Sequence, residues 1–246
     1  MPPPLPFSSF RRSQLIFEMR YDEAYLLWDR TGSIWTALQP LFKKLRSNQA
    51  QPNQQTFIAD DRYVLTIGLQ RTSLTDHNPA GNVEKLLETV ATFANTAIET
   101  LELRALERVG ARCIFSLPCK SIEEAREKAC AALPAFSSRP PLFNIKSGTI
   151  GPTIKLECDD GDFGYIAQLY ANEKRFEVNS PPEATDSGWE KFEKKLAEVL
   201  LDLDFHTKKP VRVNAFDCKL WLQGWNKAIA RDADGFLDYL AGKRGG

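Results

Sequence analysis

At 246 residues, with 43% hydrophobic and 26% charged residues, the chain has the composition of an ordinary folded protein. Disorder, a collagen-like repeat and a disulfide-stapled mini-protein are excluded at this step. Its 32 basic residues balance 32 acidic ones. Zero net charge removes the bulk attraction that captures nucleic acid or an anionic membrane, so neither is an expected partner.

The opening Met1-Pro-Pro-Pro-Leu-Pro-Phe7 has no basic or long apolar stretch. It reads as a short polyproline II lead-in, not a signal peptide. Leu15, Phe17, Met19 and Tyr21 then alternate with polar residues, the period of a strand with one buried face. Residues 33–45 form a helix with Pro40 as a kink or restart. The polar, Asn- and Gln-rich residues 47–55 read as a loop. Residues 56–59 and 62–71 make a hairpin around Asp60-Asp61.

Val83, Leu86, Leu87, Val90, Phe93, Ala94, Ala97, Ile98 and Leu101 recur at helical spacing behind the N-cap residue Asn82. This predicts a long helix lying on a sheet. Val109, Ala111, Cys113 and Phe115 alternate as a strand. Ser121 and Glu124 form a capping box that opens a short helix stopped by Pro134. The first half thus follows the β-α-β-β-α-β order of ferredoxin-like domains.

Residues 137–141, Ser-Ser-Arg-Pro-Pro, read as a linker between halves 1–136 and 137–246, packed together as one unit. The second half is strand-rich α+β. Residues 153–158 and 163–171 form a hairpin around Asp159-Asp160-Gly161-Asp162, and residues 174–179 add a strand. Trp189, Phe192, Leu196, Val199 and Leu200 follow helical spacing from Ser187. Residues 201–206 either extend that helix or switch to a strand, and the alternation of Leu201, Leu203 and Phe205 with Asp202, Asp204 and His206 favours the strand. Asn214 caps a helix to about residue 230, and a short helix near 236–240 closes the fold. Asp60-Asp61 and Asp159-Asp160 open similar successions, the pattern of a duplicated α+β unit.

The familiar catalytic signatures are missing. There is no P-loop, no dinucleotide-binding glycine pattern, no HExxH and no nucleophile elbow. The two histidines, His77 and His206, read as solvent-facing. Cys113, Cys119, Cys130, Cys158 and Cys218 show no paired spacing, as expected of reduced thiols in a cytoplasmic protein. No cofactor is expected. The aspartates at 60–61 and 159–162 are turn residues first. Asp202 and Asp204 leave one face of a strand, where burial demands a partner such as Arg108 or Arg112. Gly110, between those arginines, leaves room for a neighbouring backbone or side chain. Trp221 and Trp225 lie one helical turn apart, placed to anchor a partner or to fill the core. Gly245-Gly246 end a basic tail expected to be exposed.

Three stretches carry a resemblance: residues 10–21 around Leu15, Phe17, Glu18, Arg20 and Tyr21; the strand of Arg108, Gly110 and Arg112 after the long helix; and Leu201, Asp202, Asp204 and Phe205. Together they resemble an uncharacterised, sporadically distributed bacterial protein family. The resemblance implies accessory or defence-type gene cargo with no established activity and no catalytic residues to carry over.

The expectation is therefore a non-enzymatic binding or scaffold protein, acting on a protein partner or on itself. Its binding residues would be Arg108, Arg112, Asp202, Asp204, Trp221 and Trp225. The alternative is a metal-dependent enzyme acting on a phosphorylated or nucleotide substrate, with Asp202, Asp204, Arg108 and Arg112 as a mixed metal and anion site.

Overall fold

A computed structural model describes residues 5–79, 82–133, 151–178 and 192–242. The proposed linker, the polyproline lead to residue 4, Trp189 and the Gly245-Gly246 end lie outside these residues.

The fold is mixed α+β. Among the described residues nine antiparallel strands form one sheet: β1 (Arg11–Arg20), β2 (Leu45–Gln51), β3 (Gln54–Ala59), β4 (Tyr63–Gly68), β5 (Arg71–Asp76), β7 (Arg108–Cys119), β8 (Thr153–Asp159), β9 (Phe163–Val178) and β10 (Phe192–Thr207). Their order is β2-β3-β4-β5-β1-β7-β10-β9-β8. The short β6 (Ala105–Leu106) and β11 (Val211–Arg212) pair separately. The helices are α1 (Leu27–Leu38), α2 (Val83–Thr100), α3 (Ile122–Ala131) and α4 (Cys218–Leu240). The run β4-β5-β1-β7, with α1 and α2 as connections, carries the split βαβ order. Strands β2 and β3 extend it on one side. The second-half strands continue the same sheet, because β10 pairs with β7 from Ala197↔Cys119 to His206↔Gly110.

The pleat explains the core. Leu15, Phe17 and Met19 of β1 share a face with Val109, Ala111 and Cys113 of β7. Leu201, Leu203 and Phe205 of β10 continue that face. Trp35 of α1 meets Phe57, and Trp221 of α4 meets Phe17 and Phe205, so these helices cover the same side. Between α1 and α4 lies α2. Its Val90, Phe93, Ala94 and Ala97 are buried as the spacing predicts. Asn82 Oδ1 accepts from the N–H groups of Glu84 and Lys85 at 2.8 and 3.3 Å.

Several expected elements are corrected. Residues 47–55 are not a loop: β2 and β3 occupy most of them. The strand expected over 62–71 is two, β4 and the start of β5, turning at residues 69–70. The first helix begins at Leu27 and yields to a 3-10 turn at Gln39–Leu41, where Pro40 interrupts the hydrogen-bond ladder. Over residues 192–200 the expected helix is the start of β10. There Ala197 and Val199 join the buried face, while Leu196 is exposed on the other. Residues 174–178 prolong β9 instead of forming a third strand. The C-terminal helix is unbroken from Cys218 to Leu240 and capped by Asp217, whose Oδ1 accepts from Leu220 N–H at 2.9 Å. Asn214 sits in a preceding 3-10 turn.

Candidate functional site

The four charged residues singled out in the sequence do converge. Arg108 and Arg112 stand on β7, with Asp202 and Asp204 on the paired β10, all on the face opposite the main helices. Register places Arg112 directly across from Asp204. Arg112 nevertheless turns to the diagonal neighbour Asp202. Its Nε donates to Oδ1 at 2.8 Å and its Nη2 to Oδ2. The Asp202 side chain is 3% exposed, and this bidentate contact compensates a carboxylate otherwise taken from water. The same contact raises the pKa of the Arg112 guanidinium.

Arg108 serves the rest of the row. Its Nη2 lies 3.5 Å from Asp204 Oδ2 and its Nη1 lies 3.8 Å from Glu18 Oε1 on β1. Arg20 Nε also donates to Glu18, at 2.7 Å. A Cβ on Gly110 would stand 3.4 Å from His206 Cβ and 4.0 Å from Arg108 Nη2, both ordinary contact distances, so the room expected at this glycine is not taken up by a close approach. Each cation in this row already has a carboxylate partner, as does each carboxylate. Among the described residues no three of His, Cys, Asp or Glu gather where they could hold a metal ion.

His206, expected in solvent, instead lies half-buried between two glycines. Register sets it opposite Gly110 on one side and Gly164 on the other. A Cβ on Gly164 would fall 2.6 Å from His206 Nε2, so the imidazole occupies the space a side chain would fill. Burial, then the nearby Arg108 charge, lowers the His206 pKa. Its Nδ1 has no hydrogen-bond partner among the described residues. His77 is exposed.

The turn aspartates do local work. Asp60 and Asp61 hold left-handed backbone at φ 51° and 52°. Asp160 Oδ1 accepts from the N–H groups of Asp162 and Phe163 at 3.1 and 2.7 Å. Lys208 and Lys209 pair with Asp159 and Asp162.

Trp221 and Trp225 both face the sheet. Trp221 packs in a cluster with Phe17, Phe205 and Phe216. Trp225 is buried and lines a groove of about 460 Å³ that sequence reasoning missed. The groove runs between the C-terminal half of α4 and strands β8, β9 and β10. Leu156, Tyr165, Phe205, Ile229 and Phe236 make most of its wall. At its edge stand Tyr239, the exposed Cys158 and the Arg231–Asp232 ion pair. Its sequence signal was the spacing Trp221, Trp225, Ile229, Ala233, Phe236 and Leu240, which holds one apolar stripe past residue 230.

No protein-family model matches the chain, and no curated protein matches it either.

Proposed function

We propose that the chain is a non-enzymatic binding or scaffold protein of a bacterial cytoplasm, whose groove holds apolar side chains of a partner polypeptide. The observation that carries this reading is the groove itself. A concavity of about 460 Å³, apolar along its walls and charged only at its rim, has the size and chemistry of a recognition pocket. The charged row on the other face supports the same reading from the negative side. Arg112 is committed to Asp202, and Arg108 to Asp204 and Glu18, so no described cation of the row stands free to hold a phosphate. A metal-dependent reaction at Asp202 and Asp204 has less support for that reason. No described helix is long and apolar enough to cross a membrane. The family resemblance belongs to this proposal as well: two of its stretches lie on β7 and β10, which pair.

The test plugs the groove. Gly235 lines it, and a Cβ there meets nothing within 4 Å, so Gly235→Trp projects a large ring into the groove from an unstrained helical position. Wild type purified from its native host should carry a stoichiometric polypeptide, and Gly235→Trp, melting at a similar temperature, should not. Equal recovery with both proteins would remove the groove from the account.

A further inference from the structure

We infer that β8 is a self-association edge, on which a second copy of the chain adds its own β8 in antiparallel register about Leu156. Strand β8 is the last in the sheet, and among the described residues only β9 pairs with it. All seven of its residues are exposed or half-buried. An unpaired strand edge presents a row of backbone donors and acceptors ready for another strand. The opposite edge is built to refuse one. There β2 carries a register shift between Ser47 and Gln49, and its residues from Arg46 to Gln51 are all exposed and nearly all polar. The β8–β9 register runs from Thr153↔Tyr170 to Asp159↔Gly164 without a shift, so the outer edge stays straight.

The occupant follows from the sequence Thr153-Ile-Lys-Leu-Glu-Cys-Asp159. A two-fold axis through Leu156 sets Lys155 opposite Glu157 of the other copy, and Glu157 opposite its Lys155. Ile154 and Cys158 meet on the apolar face. Opposite charges directly across an antiparallel pair stabilise it, and like charges do the reverse. Moving the axis by one residue, a two-residue slide of register, keeps the faces but sets Lys155 against Lys155 or Glu157 against Glu157. A one-residue slip turns the apolar positions to the polar face. The charge pattern thus selects one partner and one register. In the single chain Lys155 and Glu157 pair with each other, both largely exposed, so exchanging that contact across the axis costs little. Leu156 and Cys158 also line the groove, but the plug residue Gly235 lies on α4 and the reversed charges Lys155 and Glu157 line no part of the groove, so the two tests report separately.

Sedimentation of the full chain over a concentration series tests the proposal. Wild type should show a monomer–dimer equilibrium within about 1–100 μM, the range of modest interfaces. Lys155→Glu should weaken it at least tenfold, because both symmetry-related pairs become repulsive, roughly 1.4 kcal/mol or more. Lys155→Glu with Glu157→Lys should restore it to within about threefold of wild type. A cross-link reads the register. Ile154→Cys should form a covalent dimer with Cys158 under mild oxidant. Wild type should not, because the two Cys158 residues would stand about 13 Å apart along the strands. A wild type that stays monomeric throughout overturns the proposal. So does a dimer indifferent to the charge reversal, or an Ile154→Cys variant that fails to cross-link.

Discussion

Arg112 reaches past Asp204, the residue directly across from it, and binds the more deeply buried Asp202 through Nε and Nη2. The choice follows from solvation. Asp202 is 3% exposed and Asp204 is 24% exposed, so the carboxylate that water serves worse takes the better-matched donor. Arg112→Met should therefore destabilise the fold by about 3 kcal/mol or more, by stranding a buried carboxylate. Arg112→Met with Asp202→Leu should recover most of that loss. Chemical denaturation of wild type, both single variants and the double variant closes the cycle.

The helical layer was legible in the sequence because a half-buried helix writes its face as a 3.6-residue period. That spacing places Phe93 in the core, and it is fully buried. Phe93→Ala should cost about 3–5 kcal/mol, measured by denaturant unfolding. The edge strand β2 was illegible for the opposite reason. Being exposed along nearly its whole length, it has no buried face to write an alternation. The first part of β10 carries a helical spacing because Leu196 and Leu200 lie on the face away from Ala197 and Val199. Pairing with β9 from Phe192, and with β7 as well from Ala197, overrides local propensity there. In the candidate site, the Arg–Asp convergence was readable from strand alternation. The groove was not, since it forms between segments separated by some sixty residues of chain.

The packing of His206 over Gly164 predicts an unusual sign. In most strands alanine in place of glycine stabilises, since the chain loses less freedom on folding. Here the new Cβ would stand 2.6 Å from His206 Nε2. Gly164→Ala should cost about 1–2 kcal/mol through the displaced imidazole. In a His206→Ala background the same change should be neutral or favourable.

His206 also gives a pH dependence. Its folded pKa lies below its ordinary value of 6.5, first through burial and then through Arg108. The unfolded chain therefore takes up the proton first as pH falls. Stability from this group is fully present above about pH 6.5 and is lost on acidification through and below that value. Denaturant midpoints should fall from neutral to mildly acidic pH in wild type, and fall less in His206→Gln.

The five thiols should separate by reactivity. Burial pushes Cys113 and Cys218 up to about 12, which leaves them protonated and shielded at neutral pH. Cys158 is the exposed one, at the groove edge. A thiol-specific reagent on the native protein should label Cys158 first by mass. Early labelling of Cys113 would show that the β7–β10 centre of the sheet opens readily.

Hydrogen exchange on the free chain and on the complex that the proposed function expects from native purification tests the groove most directly. Backbone protection should appear on β9 near Tyr165 and on α4 from Trp225 to Tyr239, with little change around Arg108 and Arg112. Protection confined to the charged face of β7 and β10, with the groove exchanging as in the free chain, would contradict the account.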